Sequence, residues 1–432
     1  MYNNDLFKFI TASPTAFHTA SVIAARLDDA GFVRLRERDN WRIARGGRYY
    51  VTRNGSSVVA FSVGSQLTDG GFNAVISHTD SPTFKLKENP LLEDGYYTRL
   101  DTERYGGAID HTWFDRPLSV AGRVTVLNGA RLETRLVKVD RESVIIPSVA
   151  IHMNREVNNG FKINEQIDTI PLFCQGADSG AFKRMIADAA ECEPDSIMST
   201  ELMLYTRVPP CRWGSEGEFI SSPRLDNLQC AYSTLMGFIQ GENAKMITVY
   251  GCFDNEEVGS RTKQGANSPF LADTLSRISI ALGRTREEHM MAIANSFILS
   301  ADNSHAVHPN HPEHSDSANR PVMNGGPVVK VNAGQAYATD AHASAIFRLV
   351  CKNADVPVQS FANRSDKKSG GTIGNITASH IGILTADVGL AQLAMHSAYE
   401  TSGALDTNYM VSAVKQQMSS SIRSDGDDWI VE

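Results

Sequence analysis

The stretch Met246-Ile247-Thr248-Val249-Tyr250-Gly251-Cys252-Phe253-Asp254-Asn255-Glu256-Glu257-Val258-Gly259-Ser260 decides how the chain is built. Its first eight residues form an apolar run that reads as a strand buried on both faces. Two adjacent carboxylates, Glu256 and Glu257, follow the end of that run. A carboxylate taken out of water is strongly destabilising unless a cation compensates. Two of them at a strand end point to a divalent metal, with one as ligand and the other as base for the metal's water. In isolation such a pair is more often a solvated turn, and the rest of the chain shifts that balance.

Outward from this strand the pattern alternates. Downstream, 268–282 reads as a helix and 291–300 as a second strand, with further helices over 338–354 and 407–421; upstream, 228–240 reads as a helix. Residues 4–30 are helical in pattern, interrupted by Ser13-Pro14 and ended by Gly31. The segments 48–52 and 57–62 read as strands around an Asn54-Gly55 turn, and 73–77 as a buried strand that ends at His78. This alternation implies an α/β protein whose mixed sheet is covered by helices on both faces. Between Pro90 and Pro223 the texture becomes antiparallel β, with 119–127 and 131–139 joined at Asn128-Gly129. The expected organisation is therefore a discontinuous domain, 1–89 and 222–432, with a β-rich block, 90–221, inserted into it. No internal repeat or low-complexity tract interrupts this scheme.

Composition fits the same picture. The 432 residues suit two domains, and 42% hydrophobic with 21% charged residues can support a large core. The net charge of −8 argues against a nucleic-acid surface. Six cysteines occur without a Cys-x-x-Cys pair, which reads as reduced thiols in a cytoplasmic protein. The first ten residues lack the pattern of a signal peptide, and no apolar run reaches the roughly 18 residues of a membrane span, so no membrane association is expected.

Five short motifs carry metal-type side chains, each at the end of an apolar run, where an α/β sheet places its ligands. His78-Thr79-Asp80 can offer an imidazole, with a carboxylate two residues on to orient a neighbour. Asp226 opens a predicted helix, where an N-cap is its ordinary role. Glu256-Glu257 is the third motif. Asp302, His305 and His308 fall within seven residues, and His396 follows the segment 389–393. Singly, His78 reads as a surface-turn residue and His396 as a satisfied core histidine. Together they supply the mixture of imidazole and carboxylate that two divalent ions sharing a bridging carboxylate require. The histidines count against magnesium or calcium and favour zinc, with cobalt or manganese as substitutes.

These motifs, His78-Thr79-Asp80-Ser81-Pro82, Leu225-Asp226-Asn227, Asp254 to Ser260, Ser300-Ala301-Asp302, His305-Ala306-Val307-His308-Pro309 and Gln392 to Ser397, resemble those of the M18 metallopeptidases, the aspartyl aminopeptidase family. The resemblance covers nearly the whole chain, including Thr112 to Arg116 and Ala150 to Met153 in the inserted block. It implies a di-zinc exopeptidase fold with two zinc ions per subunit. His78 and His396 would each bind one ion, Asp226 would bridge them, and Glu257 and Asp302 would complete the ligand set. Glu256 would be the general base on the water between the ions, and Asp80 would orient the site. His152 would act at a neighbouring subunit's site or bind metal. Lys330 and His305 would contact substrate, Lys330 by pairing with an acidic first residue. The glycine-rich stretch 364–375 is similar to a family loop near the substrate. That loop often carries Cys-Gly and Thr-Ile-Gly-Pro, where this chain has Ser369-Gly370 and Asn375. The resemblance further implies peptide substrates and a homo-oligomer, a tetrahedral dodecamer, assembled through the inserted block.

Alternative readings are a di-zinc aminopeptidase of neutral or broad specificity, and a di-zinc carboxypeptidase or deacylase on the same scaffold. A non-enzymatic assembly protein is disfavoured because neither a ligand nor Glu256 has been lost. A two-metal phosphoesterase would need an arginine cluster or a phosphate-cradling loop, and the sequence has neither.

Overall fold

Alternate residues of the strand Ile247–Phe253 face two different cores. Ile247, Val249 and Phe253 pack on one side of the sheet, Tyr250 and Cys252 on the other, as the period-two geometry of a strand requires. A computed structural model of the chain describes residues 2–68 and 70–432. Its central sheet comprises β1 (Val33–Leu35), β2 (Arg48–Arg53), β3 (Ser57–Val63), β4 (Phe72–His78), β5 (Ile247–Phe253), β6 (Phe297–Ala301), β7 (Val328–Lys330), β8 (Gln359–Phe361) and β9 (Leu384–Gly389), in spatial order β1-β2-β3-β5-β4-β6-β9-β7-β8. The four middle strands, β5, β4, β6 and β9, run parallel, with antiparallel neighbours beyond them. Helices Asn3–Ala12, Ala16–Asp29, Leu225–Gln240, Ala341–Asn353 and Asp406–Ser419 cover one face. Phe270–Ala281, Arg286–Ala294 and Ile373–Ile381 cover the other. The protein is thus α/β, with a mixed sheet between two helical layers.

A separate six-stranded antiparallel sheet is built from Thr83–Glu93, Tyr97–Tyr105, Leu118–Asn128, Arg131–Lys138, Leu172–Gln175 and Ile197–Thr206. It has its own core of Phe84, Leu100, Val120, Val124, Leu202 and Leu204, onto which the helix Ala181–Ala189 packs Phe182 and Ile186. A five-stranded sheet (Cys211–Trp213, Phe219–Ser222, Glu400–Gly403, Ala391–Leu393, Ser304–His305) lies close to the strand ends described below. Among the described residues no helix is long and apolar enough to cross a membrane.

Local signals place most elements where the sequence puts them. Gly31 adopts φ +81 just past the second helix, and the Asn54-Gly55 hairpin turn has positive φ at both residues. One expectation is corrected. The stretch 291–300 is not a single strand: Arg286–Ala294 is a helix, and the strand begins at Phe297. Thr285 and Glu288 form a reciprocal capping box, with Glu288 N–H to Thr285 Oγ1 at 3.2 Å and Thr285 N–H to Glu288 Oε2 at 2.7 Å. That cap nucleates a helix which the apolar run Met290 to Ile293 conceals.

The helices Leu225–Gln240 and Asp406–Ser419 meet at Gly237, where a Cβ would lie 2.6 Å from Val414 Cβ and 2.9 Å from the Lys415 nitrogen. Gly237→Ala should therefore destabilise the fold by about 1–3 kcal/mol, the usual effect of overpacking. A lowered thermal midpoint is expected, and an unchanged one would mean that the two helices can move apart freely.

Candidate metal centre

The parallel strands deliver their following residues to one edge of the sheet. His78 ends β4, Glu256 and Glu257 sit in the turn after β5, and Asp302 follows β6. Asp226 lies at the start of the helix Leu225–Gln240, where its φ of −81 and ψ of 107 depart from helical values and aim it away from the helix axis. His396 is held in a turn after the strand Ala391–Leu393, with φ +70, and Ala394 beside it has φ +56. Arg224 (φ 59) and Asn255 (φ 64) add two more non-glycine residues in the left-handed region, so backbone strain gathers around this edge.

The side chains converge on Asp226, which is buried. Its Oδ1 lies 3.6 Å from His78 Nε2, which is also 3.4 Å from Asp302 Oδ1. Its Oδ2 lies 3.4 Å from His396 Nε2, which is also 3.4 Å from Glu257 Oε2. Each carboxylate oxygen of Asp226 therefore faces its own imidazole and its own second carboxylate. Both imidazoles are fixed from behind: His78 Nδ1 donates to the Asp80 carbonyl (3.2 Å) and His396 Nδ1 to the Gly107 carbonyl (2.9 Å). A neutral ring held this way presents the lone pair of Nε2 to the carboxylates, the tautomer a metal requires.

Three observations fit this arrangement to cations. Asp226 Oδ1 and Glu257 Oε1 are buried without a hydrogen-bond partner among the described residues. The groups His78, Asp226, Asp302 and Asp226, Glu257, His396 each place one ligand atom per residue within 4.8 Å of the others. The imidazole–carboxylate separations of 3.4–3.6 Å exceed those of a charge-assisted hydrogen bond, about 2.7–2.9 Å. They approach the roughly 3.3 Å between ligand atoms of a tetrahedral zinc with bonds of about 2.0–2.1 Å.

Without an ion, protons take up part of the role. Burial disfavours the imidazolium of His78, but the surrounding Asp226, Asp302 and Asp80 outweigh it and raise His78 well above its ordinary value. Burial likewise opposes charge on His396, yet Asp226 and Glu257 raise it to about 10. Burial pushes Asp226 up, but the two histidines overcome this and hold it below the ordinary carboxylate range. Glu256 is raised to about 8, first by burial and then by neighbouring carboxylates, and burial and the charge of Asp226 raise Glu257 well above its ordinary value.

Asp80 fixes the turn after β5. Its Oδ1 accepts from Glu256 N–H (3.1 Å), and its Oδ2 from Glu257 N–H (3.2 Å) and the Tyr105 hydroxyl (2.7 Å). Lys330 is buried, donating from Nζ to the Asn303 carbonyl (2.7 Å) and Asp302 Oδ2 (3.4 Å). Burial works against its charge, but Asp302 more than compensates. His305 is exposed at the rim, with its ring 6.0 Å from that of Phe361. Lys330 and His305 line, with Asp226, Glu256 and His396, a cleft of about 420 Å³ that is also bounded by Gly370, Gly371 and Thr372. His152 does not join this group; it sits in an exposed turn of the inserted block.

Sequence reading missed Glu400. This buried carboxylate accepts from Asp226 N–H (2.9 Å) and His396 N–H (2.7 Å), and so ties together two of the converging residues through their backbones. Burial and the charge of Asp226 raise it to about 8. Its one sequence signal is an acid in a β-rich stretch four residues after His396. Asn303 was also missed; it binds the Leu225 carbonyl (3.0 Å) and Gln392 Oε1 (2.7 Å), joining three segments of the site.

Fold and site together define a metal-dependent hydrolase. A family model described as aminopeptidase I zinc metalloprotease (M18) matches residues 9–417. The chain is 44% identical over 426 residues to the probable M18 family aminopeptidase 2 of Clostridium novyi (strain NT), across 96% of this chain and 98% of that one. Among solved structures, it matches a chain of the Ape4 and Nbr1 complex with a TM-score of 0.93 and 36% identity, covering 96% of this chain and 85% of that one. It matches the S. cerevisiae mApe1 dodecamer with a TM-score of 0.85 and 28% identity, covering 96% and 95%. The chain belongs to the M18 family and is a zinc metalloaminopeptidase.

Metal-free protein at pH 8 should hold on His396 a proton that an incoming ion must displace. Calorimetric zinc titrations in buffers of different ionisation enthalpy should therefore register net proton release. Heats that do not depend on the buffer would contradict the protonated cluster.

Proposed function

We propose that this enzyme removes acidic N-terminal residues, Asp and Glu, from peptides. The observation that carries the reading is the buried Lys330 at the wall of the cleft, beside Asp302. An ammonium has three N–H donors, and Asn303 and Asp302 engage two, which leaves one for a substrate carboxylate. His305 adds a donor at the rim.

In this reading His78, Asp302 and Asp226 would hold one zinc, and His396, Glu257 and Asp226 a second. Cobalt or manganese can replace zinc in such a donor set. Bound zinc supplies Lewis acidity and makes water acidic enough to attack near neutral pH. Glu256 accepts the proton of the attacking water and returns it to the leaving amine. Asp80 keeps Glu256 aimed by gripping its backbone N–H. Lys330 and His305 seat the acidic side chain.

The reading extends to assembly. The catalytic domain comprises about 1–82 and 222–432, and the inserted oligomerisation domain begins at the strand Thr83–Glu93 rather than at 90, because that strand pairs within the six-stranded sheet. The exposed apolar residues Val149, Ile151, Met153, Phe161 and Ile167 around His152 support this, because such a patch suits a subunit interface. The likeness to the mApe1 dodecamer supports a homo-oligomer of that size. His152 then reaches a neighbouring active site and stabilises the developing oxyanion. All six cysteines are free, which fits a cytoplasmic protein.

The decisive assay compares Asp-, Glu-, Leu- and Lys-aminoacyl reporters, with N-acetyl-Asp and chelator controls. Cleavage of Asp and Glu alone, blocked by acetylation and by chelation, is expected. A preference for Leu would discard the acidic specificity while leaving the aminopeptidase intact. Glu256→Gln should keep its zinc and lose about 10²–10⁴ in turnover, the range of general-base catalysis. A fully active variant would remove Glu256 from that role.

A further inference from the structure

A second group of metal-binding side chains lies between His305 and Arg320, and the catalytic reading does not use it. His308, His311 and His314 recur at every third position, with Glu313 beside them. Their backbone is wound into successive tight turns: His311 N–H donates to the His308 carbonyl (3.2 Å), His314 N–H to the His311 carbonyl (3.2 Å) and Ser315 N–H to the Pro312 carbonyl (3.1 Å). In turns of this type, side chains three apart eclipse on one side. Pro309 and Pro312 fix φ within the run and limit its freedom.

The side chains follow this register. The rings of His308 and His311 lie 5.3 Å apart, and those of His311 and His314 5.6 Å apart. Glu313 Oε1 sits 3.0 Å from His311 Nδ1 and 3.9 Å from His314 Nε2. One ligand atom from each of His311, Glu313 and His314 lies within 4.8 Å of the other two. His308 Nδ1 accepts from Asn310 N–H at 3.2 Å, so His308 flanks the group rather than joining it.

We propose that His311, Glu313 and His314 form a surface site for a divalent transition-metal ion of the zinc class, separate from the catalytic cluster. Two imidazoles and one carboxylate are a donor set that such ions accept, with water completing the shell on this exposed face. The ion would stiffen the turn whose Glu313 carbonyl receives Arg364. Arg364 is in turn paired with Asp366, at the start of the loop that brings Gly370 and Gly371 to the cleft. The site therefore braces one wall of the cleft from outside.

The test is calorimetric titration of the zinc-replete, full-length protein with zinc chloride at pH 7.5, beside the double variant His311→Ala, His314→Ala. The wild type is expected to take up one further equivalent per chain that the variant lacks, while the variant keeps basal peptidase turnover. Identical isotherms for the two proteins would overturn the site. Loss of the equivalent together with loss of turnover would assign it to the catalytic cluster and overturn it equally.

Discussion

The buried carboxylate of Asp226 cannot be left to itself. It lies out of water among Glu256, Glu257, Asp302, Asp80 and Glu400, with an imidazole on each of its oxygens. Like charges crowded into low dielectric repel, and each uncompensated buried charge is destabilising by several kcal/mol in real proteins. Without a cation the structure answers in two ways: acids such as Glu256 and Glu400 are raised to about 8, and His396 is raised to about 10. Both responses leave protons where a metal can displace them. The edge of the sheet is therefore a set of donors suited to metal cations, and the parallel centre of the fold brings its parts together.

That convergence is enforced through backbone groups more than through side-chain packing. Asp80 grips the N–H groups of Glu256 and Glu257; Glu400 grips those of Asp226 and His396. Two acids thus position four of the converging residues through their backbone N–H groups. Asn227 and Asn303 extend the same scheme, donating to the carbonyls of Ala301 and Leu225 and so tying the start of one helix to the end of β6. Geometry of this kind is held to a fraction of an ångström, which catalysis by oriented groups requires.

Much of this was legible in the sequence because strand ends announce themselves. The apolar runs before His78, Glu256 and Asp302 each stop at a polar residue, and a parallel sheet brings such stops to one edge. Asp226 was readable as a helix-start acid, though its true use departs from capping: its side chain faces the imidazoles. The helix Arg286–Ala294 was hidden because Met290 to Ile293 is as apolar as the strand it precedes, and only the Thr285–Glu288 box separates them. Glu400 left no usable mark. Its partners are backbone N–H groups set by tertiary turns at Asp226 and His396, and backbone donors have no sequence signature. Lys330 was marked as a substrate contact by the resemblance alone, because its burial depends on Asp302 and Asn303, 28 and 27 residues away in the chain.

The six-stranded sheet is more than an appendage to this centre. Tyr105, the last residue of one of its strands, donates to Asp80 and accepts from Asn255. Gly107 supplies the carbonyl that fixes the tautomer of His396, and Ile109 N–H donates to the His396 carbonyl at 2.9 Å. No larger residue suits this approach: a Cβ on Gly106, already at φ +74, would lie 3.1 Å from Glu257 Cβ. One imidazole and the turn bearing Glu256 and Glu257 are thus oriented by chain that belongs to a different core. The candidate metal centre thus draws on both sheets. A sheet carrying its own hydrophobic core can transmit its position directly to His396, so any subunit contact made through that sheet would bear on the geometry of the candidate site.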